Sequence, residues 1–348
     1  MSKVNGTTPS VIEAFFDDFP KGGKLLIVAH NHPDPDTIAS AAALREIAKV
    51  LGKAKTTIAY GGMIGRAENA NMVKYLKLHL TPIERVDFSK YDRIAMVDTQ
   101  PMTGNNDLPQ KYVPHLVIDH HPKSKEAHKV PYLDIRTEYG ATASILTEYM
   151  FAYDLPVDKN LATALLYAIK SETQDLGRET FDVDVDCYRQ LFPLANKKLL
   201  SKIIHARVSR SYFKRLLEGI RNAKLFGNAI VTRLKTIETP DIVPEMADLL
   251  LKMEDVAWVL TMGLFEDCLY LSIRTTNTRK DAGKIMKRLV RNKGKGGGHM
   301  QIAGGKIPVP NKEPWEVQEL KDYLEAKFLK SISKEKEGQQ DLVPKEIQ

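Results

Sequence analysis

Two cysteines in 348 residues are too few for a disulfide framework, and Cys187 and Cys268 stand at no spacing that binds a metal. No apolar run comes near the ~18 residues that a membrane-spanning helix needs. The opening residues MSKVNGTTPS are polar, so no signal peptide is expected and the expected location is cytoplasmic. No internal repeat is visible. Aromatic residues are sparse among the basic residues of the second half, which argues against an extended platform for stacking a nucleic-acid strand. What is present is ordinary for a globular protein: 43% hydrophobic and 27% charged residues, on a length that suits two domains. The net charge of +7 suits an anionic partner, or simply a lysine-rich surface.

The chain is organised around KLLIVAHNHPDPDTIAS, residues 24–40. An apolar run, Leu25 to Ala29, stops at His30; Asp34 and Asp36 follow in a turn made by Pro33 and Pro35; an alanine-rich helical pattern then runs to Val50. Strand, polar turn and helix in this order form the layout of a ligand-binding loop in an open α/β sheet. Imidazoles and carboxylates crowded into seven residues pack poorly but ligate a divalent metal well.

Other strands deliver the same chemistry. The run after Asp92 ends on Asp98, and His115 to Ile118 ends on Asp119-His120-His121. In a parallel sheet with helical crossovers those ends share one edge, where such sheets bind ligands. Between them, Thr56 to Tyr60 predicts a strand that enters a glycine loop, then a helix from Ala67; Arg66 and Asn69 at that junction suit phosphate binding and helix initiation equally. A helical pattern from Asn160 ends on Ser171-Glu172-Thr173, with Asp175 one turn on.

In order and spacing, His30-x-x-x-Asp34-x-Asp36, Asp98 and Asp119-His120-His121 resemble the DHH phosphoesterase superfamily. The stretch GGGHMQIAGG, residues 296–305, is similar to the glycine-rich signature of the DHH-associated C-terminal domain. The resemblance implies an α/β protein: a metal-binding catalytic domain with a mostly parallel sheet, a smaller mixed α/β domain and a cleft between them. It implies two Mn²⁺ ions, one held by His30, Asp34 and Asp98, the other by Asp36, Asp98, His120 and a last acid. Relatives usually have aspartate at that last position, where Glu172 stands here, and Asp175 is its rival. Asp119 would orient a ligand histidine, and His121 would contact the substrate phosphate or assist the leaving oxygen.

Elementary electrostatics agrees. Carboxylates ~4 Å apart repel by roughly 4 kcal/mol per pair at an effective dielectric of ~20, and two dications would balance four such charges. Mixed imidazole and carboxylate ligation suits Mn²⁺ better than Mg²⁺, with Co²⁺ or Zn²⁺ as alternatives.

The second half predicts strands at residues 229–234, 256–265 and 269–275, a basic helix over 281–292 and a glycine loop after it. Nine lysines and arginines against the single Asp281 lie between Thr278 and Lys306. By the resemblance, Arg274, Gly297, Gly298 and His299 contact substrate. The expected domains are residues 1–190, a helical connector 191–226, a substrate-binding domain 227–333 and a disordered charged tail 334–348. The implied activity is hydrolysis of short oligonucleotides (nanoRNA) or adenosine 3′,5′-bisphosphate. A polyphosphate or phosphoanhydride hydrolase, a cyclic- or linear-dinucleotide phosphodiesterase and a non-catalytic nucleic-acid binder are the alternatives, and a homodimer is left open.

Overall fold

A strand covered on both faces must be apolar on both, and β1 (Lys24–Val28) meets that condition: Leu25, Leu26, Ile27 and Val28 are all fully buried. The computed structural model describes residues 10–298, 300–311, 313–333 and 339–343. Its first unit, which runs to Ala206, is built on β1, β2 (Lys55–Tyr60), β3 (Thr81–Pro82), β4 (Arg93–Val97), β5 (Leu116–Asp119) and β6 (Tyr132–Ile135). They lie in the order β3-β2-β1-β4-β5-β6, every pair parallel. Strand order therefore reverses between β1 and β4, the switch point at which sheets of this kind bind ligands at the carboxyl ends. His30 and Asp98 lie just beyond those two ends.

Seven helices accompany this sheet among the described residues: α1 (Val11–Asp17), α2 (Pro35–Leu51), α3 (Ala67–Tyr75), α4 (Thr142–Ala152), α5 (Lys159–Glu172), α6 (Asp182–Leu191) and α7 (Lys197–Ile204). Helix α2 starts earlier than the alanine pattern predicts, so that Pro35 and Asp36, expected in the turn, form its first residues. Asp34 Oδ1 accepts the Thr37 N–H at 3.0 Å, and Pro35, whose missing N–H costs nothing at a helix start, occupies the first turn. Its alanines 39, 41, 42, 43 and 48 are buried, and small side chains let the helix lie close to α4 and α5. Helix α1 and strands β3 and β6 escaped the sequence reading; two residues of β3 are too few for any periodicity.

The second unit, from Arg207, holds α8 (Arg210–Arg221), β7 (Lys224–Phe226), β8 (Ala229–Thr236), α9 (Ile242–Leu250), β9 (Trp258–Phe265), β10 (Cys268–Thr275), α10 (Ala282–Leu289), β11 (Lys295–Gly298), β12 (Ile302–Pro308), α11 (Pro314–Ser331) and β13 (Gln340–Asp341). The helical run after Asp182 is thus three helices, with α6 and α7 in the first unit and α8 in the second. The sheet order is β11-β12-β10-β9-β8-β7-β13, antiparallel except for β8 beside β9.

Two expectations give way here. The glycine stretch is a pair of strands: Gly304 and Gly305 lie opposite Gly297 and Gly296 on one side and Ser272 and Leu271 on the other. Ladder hydrogen bonds are made by the backbone, so a run whose side chains predict only a loop pairs once a neighbouring edge is offered. In the tail, Gln340–Asp341 pairs with Lys224 and Leu225, and the Leu342 N–H donates to the Ala223 carbonyl at 3.0 Å. Residues 334–338 and 344–348 lie outside the described residues.

Candidate metal centre

The two chain crossings of the switch point place His30, Asp34 and Asp98 within reach of one another. His30 Nε2 lies 3.4 Å from Asp34 Oδ2 and 3.6 Å from Asp98 Oδ2. On the other side, Asp98 Oδ1 is 3.7 Å from His120 Nε2 and 3.7 Å from His121 Nδ1. Among the described residues two groups could hold a metal ion, His30-Asp34-Asp98 and Asp98-His120-His121, and they share Asp98. Asp98 is buried and has a left-handed backbone, φ 57°, a conformation in which aspartate is enriched. Its Oδ1 also accepts the Thr142 hydroxyl at 2.9 Å.

The histidines are turned for ligation. His30 donates from Nδ1 to the Asn31 carbonyl at 2.9 Å, and His120 donates from Nδ1 to the Tyr139 carbonyl at 3.1 Å. Fixing the proton on Nδ1 leaves Nε2 of each ring with its lone pair toward Asp98. Nε2 of His120 is buried and has no hydrogen-bond partner in the structure, a position that a cation satisfies. His121 differs. Its N–H and its Nδ1–H both donate to Asp119 Oδ1, at 3.1 and 2.9 Å, so Nδ1 is spent as a donor.

Asp36 is buried and receives the first N–H groups of α4: Thr142 at 2.8 Å on Oδ2 and Ala143 at 2.7 Å on Oδ1. It caps α4, which has no side-chain cap of its own, while lying close enough to Glu172 and Asp34 to feel both charges. Glu172 closes α5 half-buried and feels Asp34 likewise, whereas Asp175 is exposed and paired with Lys170.

The electrostatics of the cluster is that of a site built for cations. Burial, then Asp36 and Asp34, pushes the Asp98 carboxyl well above the usual carboxylate range; burial, then Glu172 and Asp34, does the same to Asp36. Burial, then Asp34, raises Glu172 to about 7. Burial also acts on Asp34, but the adjacent His30 outweighs it and holds that carboxyl below its ordinary value. His120 is depressed to about 4 by burial and by His121. Burial opposes the charge on His121 too, yet the bond to Asp119 prevails and lifts it to about 9. Acids that resist ionisation beside a neutral, orphaned imidazole are the donors that divalent ions accept, and Mn²⁺ takes this oxygen and nitrogen set.

Gln100 and Thr142 were invisible to motif reading. Gln100 Nε2 donates to Asp119 Oδ2 at 2.7 Å, and Thr142 joins Asp98 to Asp36. Asn69 donates to the Pro33 carbonyl at 3.2 Å, which ties the loop after β1 to α3. His32 accepts the Met63 N–H at 3.4 Å over Gly62, whose φ of 66° favours glycine. Arg66 sits at the start of α3, near Tyr167. The sequence singles out Arg66 and Asn69 at this junction, whereas Gln100 and Thr142 carry no such signal.

In the second unit Arg274, at the end of β10, is largely buried. Its Nε donates to Asp248 Oδ1 at 2.5 Å, and its Nη1 donates to Ser272 Oγ at 2.9 Å. Gly297 and Gly298 lie in β11. A Cβ on Gly298 (φ 136°) would come within 2.2 Å of the Ile302 carbonyl oxygen, whereas one on Gly297 would meet nothing closer than 3.8 Å. His299 falls outside the described residues.

Residues 24–169 match the DHH family, N-terminal domain, and residues 226–326 match the DHHA1 domain. An uncharacterized protein of Methanocaldococcus jannaschii is 36% identical over 292 residues, covering 83% of this chain and 59% of that protein. A probable manganese-dependent inorganic pyrophosphatase of Oceanobacillus iheyensis is 30% identical over 180 residues, 51% of this chain and 57% of that protein. The chain thus spans less than two thirds of the length of either relative. The solved structure of an exopolyphosphatase-related protein from Bacteroides fragilis shares the fold, with a TM-score of 0.68 at 16% identity over 95% of this chain and all of that one.

Proposed function

Because the chain belongs to the DHH family of phosphoesterases, with a DHHA1 domain after its metal-binding domain, we propose that it is a manganese-dependent hydrolase of short oligonucleotides or adenosine 3′,5′-bisphosphate. One observation carries the reading: Asp98 has one oxygen toward His30 and the other toward His120, a position from which a single carboxylate can serve two ions. In this reading His30, Asp34 and Asp98 hold one Mn²⁺, and Asp36, Asp98, His120 and Glu172 the other. Bound ions would supply Lewis-acid stabilisation of charge at phosphorus and a water of lowered pKa. His121, charged through its bond to Asp119, contacts the phosphate or the leaving oxygen. Arg66, Arg274, Gly297, Gly298 and His299 contact the substrate's other phosphates, Asp248 holding the Arg274 guanidinium in one orientation. No helix among the described residues is long and apolar enough to cross a membrane; a cytoplasmic location is part of this proposal.

The similarity to a probable pyrophosphatase favours a second reading, hydrolysis of a phosphoanhydride. Turnover of di- to pentanucleotides, adenosine 3′,5′-bisphosphate, cyclic dinucleotides, pyrophosphate and polyphosphate, side by side with Mn²⁺, decides between them. Turnover confined to pyrophosphate and polyphosphate would replace the first reading by the second. No Mn²⁺-dependent turnover of any of them would remove both.

A further inference from the structure

Resting on the reading that this centre cleaves phosphoesters, we propose that Gln100 is a positioning residue that locks the Asp119–His121 pair for proton delivery to the leaving oxygen. Gln100 is buried two residues beyond Asp98. Its Oε1 accepts the Ser124 N–H at 2.6 Å. Only the oxygen end of an amide accepts such a bond, so the orientation of the side chain is settled. Nε2 must then face Asp119 Oδ2, at 2.7 Å, with the Pro122 carbonyl at 3.2 Å. Asp119 is itself buried, and its other oxygen takes both donors of His121. Held at both oxygens, the carboxylate cannot turn without breaking a bond, and the bond from Gln100 is buried where water does not replace it.

The consequence reaches the ring. With Nδ1–H committed to Asp119, the opposite nitrogen of His121 points away from that carboxylate, on a side chain that remains 40% exposed. A chain of hydrogen bonds thus runs from the Ser124 backbone through Gln100 and Asp119 to the most exposed of the three imidazoles of the centre. In the hydrolysis, water gives one proton to solvent as its oxygen forms a new bond to phosphorus, and the bond to the leaving oxygen breaks with its electron pair. His121 Nε2–H passes its proton to that oxygen, and solvent restores the proton afterwards. A ribose hydroxyl leaves poorly unless protonated; p-nitrophenolate leaves without help. Gln100 therefore matters in proportion to how much the leaving group needs a proton.

The test compares a dinucleotide with the p-nitrophenyl ester of thymidine 5′-phosphate on the full-length, Mn²⁺-loaded protein. Gln100→Leu should lower kcat/KM on the dinucleotide at least about tenfold more than on the ester, with metal content unchanged. Ser124→Pro exchanges the N–H that anchors Gln100 for a ring carbon that displaces the amide, and drops the serine hydroxyl, at a backbone φ of −75° that proline adopts. It should shift the same ratio in the same direction, by less, and it carries the test should leucine at 100 prevent folding. Equal losses on both substrates, or an unchanged ratio in the folded variants, would overturn the proposal. Wild-type Mn²⁺-dependent turnover of the ester separates that outcome from failure of the phosphoesterase reading itself.

Discussion

Asp98→Asn is the most informative single change, because asparagine preserves almost everything about this residue except its charge. Asparagine tolerates the left-handed backbone at φ 57°, and its carbonyl oxygen can still accept the Thr142 hydroxyl. What disappears is the one carboxylate common to both ligand groups. Unit charges 4 Å apart interact by about 4 kcal/mol at an effective dielectric of ~20, and a dication doubles that figure. Taking only the unit-charge value as the net loss, to allow for solvation and residual amide coordination, Mn²⁺ affinity should fall about a thousandfold. Titration of the metal-free protein with Mn²⁺, with bound metal counted after desalting, measures the change. Heating the metal-free proteins gives the complementary reading. Asp98 is pushed above the usual carboxylate range by burial and by Asp36 and Asp34, so removing its charge relieves repulsion. The metal-free variant should therefore melt no lower than metal-free wild type while losing its metal and its turnover. Purified Asp98→Asn protein that kept two Mn²⁺ with near wild-type affinity would refute the shared-ligand arrangement.

Three further outcomes are expected. Glu172→Gln should lower Mn²⁺ content and activity far more than Asp175→Asn, since Asp175 is exposed and paired with Lys170; the reverse ranking would move the ligand role to Asp175. The metal-free fold should lose stability as pH rises from about 4.5 to about 7: Glu172 binds its proton more tightly folded than unfolded, so the native state holds more protons across that window. Melting temperatures of metal-free protein that instead rise over that range would contradict it, and saturating Mn²⁺ should abolish the dependence. Arg274→Ala should raise KM about tenfold to a hundredfold on a dinucleotide carrying a terminal phosphate, with metal content intact, because charge-assisted bonds contribute roughly 1.5–3 kcal/mol each. Its partner Asp248 has a side chain 42% exposed and is not left as a buried charge; an equal rise on the dinucleotide lacking that phosphate would assign Arg274 to the fold instead.

The sequence by itself determined which strands end on carboxylate and imidazole side chains. Apolar runs that stop on His30, Asp98 and Asp119-His120-His121 imply one sheet edge, and the sheet has them there because parallel strands with helical crossovers all finish on the same side. The body of α2 was equally legible from its alanine pattern, whereas its first turn was read as loop although Asp34 and Pro35 are local start signals. What only the tertiary structure decided depends on partners distant in the chain. Asp36 caps a helix 106 residues away, and Gln100 meets Asp119 across 19 residues; no periodicity or spacing encodes either bond. The glycine run became strands because β10 offered it an edge, and the tail's Gln340–Asp341 did so against β7. Local propensity is a property of neighbours along the chain, whereas a hydrogen bond between remote groups exists only once the core has brought them together.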